Sequence, residues 1–509
     1  MRGLFRLVGQ LQFVLLLPWL VAPAAAASPR PPNVILILVD DLGWADLGCY
    51  GSSFHQTPNL DALARSGALF TDAYAASPVC SPTRASILSG KYPSRIGMSY
   101  LAGVRGPSGP GHRLLPPPVA GSIPQGDITL AEALREAGYA TAHIGKWHLQ
   151  GHTEKGEADF PERHGFDVNI GGHRAGQPGS YYFPYKSKNH PATDVPGLND
   201  GREGDYLTDA LTDQAIGFMR QHAGEPFFLN LWYYTVHTPI EPRRDQLAVY
   251  KEKARRLGLD KGGKQAAPEL QSFTRTRQSD PAYAAMVAVL DENVGRLMAE
   301  LQRLGLSEDT IVVFFSDNGG LSTGPGPNMP ACNLPLRAGK AWLYEGGIRE
   351  PFIVSYPAAV KAGLRISEPV VSTDIYPTIL GLAGLPPRPQ QHVDGLDLAQ
   401  LLEGKADSLD REAIYFHLPH YHHINTMGPS GAVRAGDHKL VEVYETGKTE
   451  LYNLRDDPGE QHDLSAEKPE LARELAAMLR VWRKSSGSKE AVPNPDYDAG
   501  EDWRRKPGA

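Results

Sequence analysis

Asn33-Val-Ile-Leu-Ile-Leu-Val39 is a run whose residues after Asn33 are all apolar, and it ends directly at Asp40-Asp41. An apolar run without polar alternation is typical of a strand that is buried on both faces, as in a parallel sheet. Two similar runs lie at 227–233 and 310–315. Because helical patterns separate these runs, the sequence predicts an α/β fold with a large, mostly parallel central sheet.

The predicted helices and the remaining strand lie between these runs. The clearest helix covers 283–304, where apolar residues recur in helical register before Gly305. A short helix is predicted at 59–67, and Asp127 is expected to cap another that extends to Ala137. A short strand is predicted at 139–144.

The pattern changes after the Pro-rich turn at 386–389. Short strands are predicted at 413–418, 432–435, 439–444 and 450–454, followed by a helix. We expect a smaller C-terminal α+β subdomain with an antiparallel sheet. The expected division of the 509 residues is a signal peptide at 1–27, a large α/β domain at 28–385, this subdomain at 386–485 and a polar, extended tail at 486–509.

Residues 1–27 have the pattern of a secretory signal. Arg2 and Arg6 precede an apolar segment at 13–21, and the small residues at 25–27 suit cleavage. The apolar segment is too short to span a bilayer. We therefore expect an exported protein without a stable membrane anchor. Its location would be periplasmic or extracellular, or a lysosomal-type compartment if the source is eukaryotic.

Charge and cysteine content exclude two classes of protein. The formal net charge is −7, and removal of the two arginines in 1–27 makes it more negative, which argues against a general nucleic-acid binder. Three cysteines, Cys49, Cys80 and Cys332, do not make a disulfide framework. A Cys49–Cys332 bridge is one alternative, and two free thiols are the favoured one.

Polar side chains follow each predicted strand of the central sheet. They are Asp40 and Asp41, Lys146 and His148, His237, and Asp317 and Asn318. Open α/β sheets carry their sites beyond the carboxyl ends of their strands, so these side chains are expected to converge. Three carboxylates at close quarters require a cation, and an all-oxygen set of Asp40, Asp41, Asp317 and Asn318 suits Ca²⁺ or Mg²⁺ rather than zinc.

Cys80-Ser-Pro-Thr-Arg84 combines a sulfur atom, an expected helix N-terminus and an arginine. Pro82 suits the first turn of a helix, where backbone N–H groups attract anions. Arg84 adds a fixed positive fork one turn later. The stretch indicates chemistry on an oxyanion, and the alternative is that Cys80 is a buried small hydrophobe.

The wider sequence resembles the type I sulfatases of the alkaline phosphatase superfamily over most of residues 33–465. Cys80-x-Pro-x-Arg84 with the following Ala-Ser-Ile-Leu-Ser-Gly90 is similar to the signature of that family. The other matching motifs lie at 39–43, 145–149, 236–239, 316–320, 336–349 and 451–460. Gln150 stands where glycine is usual. The branch that it resembles most contains arylsulfatase A and N-acetylgalactosamine-6-sulfatase.

The resemblance implies a fold, a cofactor and a mechanism. The fold would be an alkaline phosphatase-like sandwich with 28–385 as the catalytic domain, and the metal would be calcium. Cys80 would be converted to formylglycine by a maturation enzyme, and the hydrated aldehyde would hydrolyse a sulfate monoester of a sugar, polysaccharide or aryl alcohol. The residues that would act are Cys80, Arg84, Lys146, His148, His237 and Lys340. Lys146, His237 and Lys340 would bind the sulfate, His237 or Lys340 would protonate the leaving oxygen, and His148 would accept a proton.

Two other functions stay open at this point. One is a phosphodiesterase or phosphonate monoester hydrolase of the same superfamily, and the other is a non-catalytic glycan-binding relative. Every catalytic position is retained, which disfavours the second. Candidate substrate-contacting segments are the loops at 99–126 and 171–205, the basic segment at 243–277, and His417, His420, His422 and His423.

Overall fold

The computed structural model describes residues 30–151, 159–261 and 265–505. The expected signal peptide at 1–27 lies outside these residues. From Pro31 onward the chain forms one unit. Within the described ranges, none of the helices has the length and apolar character that crossing a bilayer requires.

The described secondary structure alternates strands and helices through the first three quarters of the chain. The strands are β1 Asn33–Val39, β2 Ala68–Tyr74, β3 Leu114–Leu115, β4 Ala140–Gly145, β5 Val168–Ile170, β6 Phe227–Trp232, β7 Ala266–Glu269, β8 Ser272–Arg275, β9 Thr310–Ser316, β10 Thr323–Gly324, β11 Arg349–Ser355, β12 Leu364–Ile366, β13 Val370–Val371, β14 Ile414–Leu418, β15 Ser430–Ala435, β16 His438–Val443, β17 Lys448–Asn453 and β18 Val492–Pro493. The helices are α1 Pro58–Ser66, α2 Cys80–Ser89, α3 Leu130–Glu136, α4 Leu207–Gln221, α5 Arg244–Arg256, α6 Pro281–Leu304, α7 Glu345–Ile348, α8 Ile375–Leu382, α9 Ala399–Leu402 and α10 Pro469–Ser485.

The central sheet contains nine of the described strands, in the order β12-β2-β11-β9-β1-β6-β4-β5, with β13 also paired to β2. β1 is parallel to β6 and β9, and β4 is parallel to β5 and β6. β11 runs antiparallel to its neighbours β2 and β9. The prediction of a large, mostly parallel sheet is confirmed, with one strand reversed.

Helices cover both faces of this sheet, which explains the continuous apolar run in β1. Ile35, Ile37 and Val39 belong to a hydrophobic cluster that includes residues of α1, α4 and α6. The alternate residues, Val34 and Leu36 among them, belong to a second cluster with residues of α2, α3 and α8. Both sets of side chains are fully buried, so neither face of β1 tolerates polar residues.

The C-terminal region forms a separate antiparallel sheet in the order β14-β15-β16-β17. Apolar residues of α10, including Leu475 and Leu479, share a cluster with these strands. The antiparallel α+β character of this region is confirmed, while the boundaries at 385 and 485 stay predictions. The residues after α10 return to the large domain, because β18 pairs with β3.

Three local details differ from the expectations. Thr129, not Asp127, caps α3, since its Oγ1 accepts a hydrogen bond from Glu132 N. α2 begins at Cys80 itself, so Pro82 lies inside its first turn. The sequence patterns missed β2, whose run is interrupted by Thr71-Asp72.

Cys49, Cys80 and Cys332 are all free thiols, as the favoured alternative predicted.

Candidate active site

The polar ends of four adjacent strands meet at one edge of the central sheet. In the order β9-β1-β6-β4, these strands all run in the same direction. Backbone hydrogen bonds continue past the strand ends, from Asp317 N to Val39 O at 3.1 Å and from Lys146 N to Trp232 O at 2.7 Å. The predicted convergence of these side chains is confirmed.

Acidic and amide side chains form the floor of this site. Asp40, Asp41, Asp317 and Asn318 are all buried, with at most 2% of each residue exposed. Asn318 Nδ2 donates to Asp41 Oδ1 at 2.7 Å, and Asp41 N donates to Asp317 Oδ1 at 3.3 Å. Burial raises the pKa of Asp40, to about 7, in spite of the opposing effect of Lys146. For Asp41, Lys340 and His237 outweigh burial and lower the pKa.

Three basic side chains are paired with the three carboxylates. Lys146 Nζ lies 2.7 Å from Asp40 Oδ2, and Lys340 Nζ lies 2.8 Å from Asp41 Oδ1. Arg84 Nε donates to Asp317 Oδ2 at 2.8 Å, and its Nη1 donates to Lys146 O at the same distance. Without an added ion the centre is therefore close to electrically neutral. A bound cation would give the centre a net positive charge, which suits an anionic substrate.

Cys80 lies at the middle of this arrangement, at the first residue of α2. Its Sγ is 3.6 Å from Asp40 Oδ1, and the residue is only 2% exposed. One ligand-type atom from each of Asp40, Asp41, Cys80 and His237 lies within 4.8 Å of the others. Burial raises the pKa of the Cys80 thiol to about 12. The unmodified side chain is therefore a protonated thiol at neutral pH, which is a weak nucleophile.

His237 and Lys340 contact each other across the site. Lys340 Nζ lies 2.9 Å from His237 Nε2, and His237 Nδ1 lies 2.9 Å from Thr238 O. An ammonium group only donates, so Nε2 is the acceptor and Nδ1 carries the imidazole proton. Burial and the charge of Lys340 lower the pKa of His237 to about 3, which agrees with a neutral ring.

His148 lies next to the start of α2. Its backbone carbonyl accepts a hydrogen bond from Ser81 Oγ at 2.7 Å, so His148 is tied to the residue that follows Cys80. A Cβ at position 176 would lie 2.5 Å from His148 Cε1, and Gly176 leaves that space for the ring. Burial, with Lys146 and Arg84, holds the pKa of His148 well below its usual range. Its Nδ1 is buried and makes no hydrogen bond to the described residues.

The residues present fit a hard divalent cation. Asn318 Oδ1 is buried and accepts no hydrogen bond in the described part of the chain. The amide of Asn318 contacts Asp41 through Nδ2, and Asp41 N contacts Asp317 Oδ1, so the four predicted ligands are linked to one another. Oxygen donors of these types are the ligands of Ca²⁺ and Mg²⁺. The predicted ligand set Asp40, Asp41, Asp317 and Asn318 stays a prediction, now with a geometric reason.

Residues of the C-terminal region and of the loop that begins at Ser99 contact each other beside the site, and the sequence patterns revealed only part of this wall. Asn425 Nδ2 donates to Ala341 O at 2.7 Å, directly beside Lys340. Tyr100 lies edge-on to His422 at 5.8 Å between ring centres. His420 Nε2 contacts Ser99 Oγ at 2.9 Å. His420 and His422 were among the candidates, and Tyr100 lies in the candidate loop at 99–126, whereas nothing in the local sequence of Asn425 marks it.

Comparisons with known proteins agree with this geometry. Residues 32–385 match a family model described as "Sulfatase", and residues 338–485 match "N-sulphoglucosamine sulphohydrolase, C-terminal". A "Sulfatase" of Formosa agariphila is 31% identical, and the alignment covers 96% of this chain and 97% of the relative. The "N-acetylgalactosamine-6-sulfatase" of the dog is 35% identical over 77% of this chain and 70% of the relative.

A solved structure extends the agreement to three dimensions. The structure titled "Crystal structure of Ps i-CgsB in complex with k-i-k-neocarrahexaose" has a TM-score of 0.72 and 29% identity to this chain. The alignment covers 94% of this chain and 97% of the solved chain. The matches run through the whole central sheet and the C-terminal region, and the chain belongs to the sulfatase family, the enzymes that hydrolyse sulfate esters.

Proposed function

We propose that this sulfatase removes sulfate from a sulfated sugar, through a formylglycine made from Cys80. The observation that carries the proposal is the position of Cys80 Sγ, within 4.8 Å of ligand-type atoms of Asp40, Asp41 and His237. The sugar preference is supported by relatives whose names specify N-acetylgalactosamine-6-sulfatase and by a related structure with a bound neocarrahexaose.

The modified residue and the cation each supply one function to this mechanism. Hydrated formylglycine at position 80 would provide two hydroxyl groups, one to attack sulfur and one to allow sulfate release. A calcium ion held by Asp40, Asp41, Asp317 and Asn318 would neutralise the negative charge that gathers there. Every other task falls to the side chains of this chain.

Lys146, Lys340 and Arg84 surround the position that the sulfate group would occupy. Lys146 and Lys340 are ammonium donors that would turn from carboxylates toward the sulfate oxygens. The neutral His237 has no free proton for a sulfate oxygen, so its part is to hold Lys340 in position by accepting from it at Nε2. Arg84 stays paired with Asp317 and holds that carboxylate in place. Charged donors fixed in a buried site stabilise developing negative charge more strongly than the same donors in water.

Proton transfer is divided between Lys340 and His148. Lys340 is the proton donor to the leaving oxygen, because His237 Nε2 accepts from it and has no proton of its own to give. His148 is neutral and its Nδ1 has no partner in the described chain, so it is suited to accept a proton when sulfate leaves.

Export is part of the same proposal. The pattern at 1–27 and the family's maturation chemistry together favour a protein that meets a formylglycine-generating enzyme during export. We place the mature protein in the periplasm or outside the cell.

Matched esters test the proposed reaction. The purified protein is assayed with the sulfate and phosphate monoesters and the phosphonate monoester of one alcohol, 4-nitrophenol, and then with sulfated hexoses and hexosamines. We expect sulfate hydrolysis to dominate and to disappear in Cys80→Ala. Faster cleavage of the phosphate or phosphonate ester would favour the phosphonate monoester hydrolase alternative, and binding of sulfated sugars without turnover in either protein would favour a binding role.

A further inference from the structure

A cavity beside the active site is built by the C-terminal tail and has no part in the chemistry above. Its volume is about 280 Å³, and its wall includes the loop at 107–112, the segment at 421–426 and the tail residues Glu501, Trp503 and Arg504. This is below the roughly 300–1,000 Å³ typical of pockets for drug-sized ligands, so it suits a single ring.

The tail is fixed against the loop that forms the opposite wall. Asn494 Nδ2 donates to Gly109 O at 2.9 Å and to His112 O at 2.8 Å. Trp503 N donates to Gly111 O at 3.1 Å. A Cβ at Gly111 would lie 2.4 Å from Glu501 O, so only glycine permits this approach. The cavity therefore has walls held by specific contacts.

Aromatic rings make up much of the cavity wall. The Trp503 indole is nearly parallel to His112, with an interplanar angle of 10°, and Tyr421 meets it edge-on at 5.2 Å. His112 Nδ1 and Trp503 Nε1 are buried and have no hydrogen-bond partner within the described ranges. Aromatic faces together with unsatisfied ring nitrogens suit a ligand that has both C–H and hydroxyl surfaces.

The charges around the cavity argue against a second sulfate group. Arg504 forms ion pairs with Glu445 and Asp502, so its positive charge is already balanced. Glu501 adds an exposed carboxylate to the wall. Burial lowers the pKa of His112 and, with Lys340, that of His423, so both imidazoles are neutral near pH 7. The occupant is therefore an uncharged ring.

The segment at 421–426 connects this cavity to the reacting centre. His422 and His423 line the cavity, and their rings stack at 4.4 Å. Asn425, in the same segment, donates to the carbonyl of Ala341, which follows Lys340. The charge of Lys340 also acts on both histidines and, after burial, helps to lower their pKa values, so the cavity wall adjoins the place where the sulfate would lie.

We propose that the cavity at 107–112, 421–426 and 501–504 binds an uncharged sugar ring next to the sulfated one, so that the enzyme prefers sulfated oligosaccharides to sulfated monosaccharides. This inference rests on the proposed sugar sulfatase function. Trp503 is the specificity-determining residue, because its indole, which contacts His112 and Arg504, forms the part of the cavity wall against which the second ring would pack.

The test compares one sulfated ring as a monosaccharide and within a disaccharide whose other ring is unsulfated. We expect the parent to have a kcat/KM roughly 10- to 100-fold higher for the disaccharide, and Trp503→Ala to abolish that preference. Trp503→Phe keeps an aromatic ring and is expected to retain part of the preference for the disaccharide. Tyr497→Ala is the matched control, because Tyr497 packs under Arg113 in the same tail but does not line the cavity.

The outcomes separate this inference from the proposed function. No preference in the parent, or a preference that survives Trp503→Ala, overturns the subsite. Equal loss in Trp503→Ala and Tyr497→Ala assigns the effect to tail docking and also overturns it. If no sulfate ester is hydrolysed, calorimetric titration of the same two sugars still decides, because a subsite requires tighter binding of the disaccharide by the parent than by Trp503→Ala.

Discussion

At the scale of single residues, the contact between Lys340 and His237 determines which side chain carries the proton for the leaving alcohol. Lys340 donates to His237 Nε2 and to Asp41, and Asp41 keeps the pKa of Lys340 above its usual range although burial acts to lower it. An ammonium group gives up its proton only as negative charge develops on the leaving oxygen. The contribution of Lys340 should therefore depend on how basic that oxygen is.

Replacing Lys340 should harm substrates with poor leaving groups most. Lys340→Ala is expected to lower kcat about 10²- to 10⁴-fold for a sugar sulfate and much less for 4-nitrophenyl sulfate, whose leaving group needs no proton. Lys340→Arg keeps the charge but holds its proton, so it should keep KM closer to that of the parent while kcat falls. Steady-state kinetics over a series of aryl sulfates measures this. Equal losses for all leaving groups would contradict the assignment.

A variant at Asn318 tests the predicted cation site. Asn318 Oδ1 has no hydrogen-bond partner in the described chain, so Asn318→Ala removes this oxygen without removing any hydrogen bond that the oxygen accepts. We expect the affinity for Ca²⁺ to fall at least about 10-fold. The rise in melting temperature that added Ca²⁺ gives the parent should shrink accordingly. An unchanged rise would exclude Asn318 as a ligand.

At the scale of elements, the cap of α3 shows why an expectation based on local sequence was wrong. Both Asp127 and Thr129 are good cap residues, and the choice depends on distant partners. Thr129 Oγ1 donates to His164 O at 2.7 Å, while Asp127 pairs with Lys91 Nζ at 2.6 Å. Neither partner is visible in the sequence around the helix.

The two side chains should therefore differ in their contribution to stability. Thr129→Ala loses a reciprocal cap with Glu132, and we expect a loss of about 1–2 kcal/mol in the free energy of unfolding. Asp127→Ala removes only a partly exposed ion pair and should cost about 0–1 kcal/mol. Urea denaturation of both variants measures the difference. A larger loss for Asp127→Ala would restore Asp127 as the cap.

At the scale of the whole molecule, several histidines are buried in neutral form. His143 lies in the central sheet, where burial lowers its pKa to about 3, and His417 has the same value for the same reason. The unfolded chain binds these protons below about pH 6.5, whereas the folded chain does not until about pH 3. The unfolded state therefore binds more protons in this window, and stability falls as the pH is lowered through it.

His143→Gln should flatten that pH dependence. Gln keeps a donor and an acceptor near Asn230 and Gly145 but does not titrate. The loss of unfolding free energy between about pH 7 and pH 5 should be smaller than in the parent, and His462→Gln, on the surface, should match the parent. An identical slope in all three would show that His143 is not neutral in the folded protein.

The sequence predicted the features that depend on neighbouring residues and missed those that depend on residues far apart in the chain. A continuous apolar run encodes β1 and helical periodicity encodes α6, and the carboxylates after β1 and β9 follow from the rule that sites lie beyond the carboxyl ends of strands. β2 was missed because Thr71-Asp72 interrupts its apolar run. Asp72 is tolerated in this buried strand because it forms ion pairs with Arg349 and Arg434, which lie far away in the sequence. The tail cavity depends on contacts between residues almost 400 positions apart, such as Asn494 with Gly109, and no local pattern records them.

The measurement that tests the central claim most directly is mass spectrometry of the peptide that contains residue 80. The protein is taken from its natural source, or from a host that has a formylglycine-generating enzyme, and Cys80→Ala serves as the reference. We predict that the mass of the thiol is replaced by that of the aldehyde in the fraction that hydrolyses sulfate esters. An active protein whose Cys80 is entirely unmodified would contradict the mechanism.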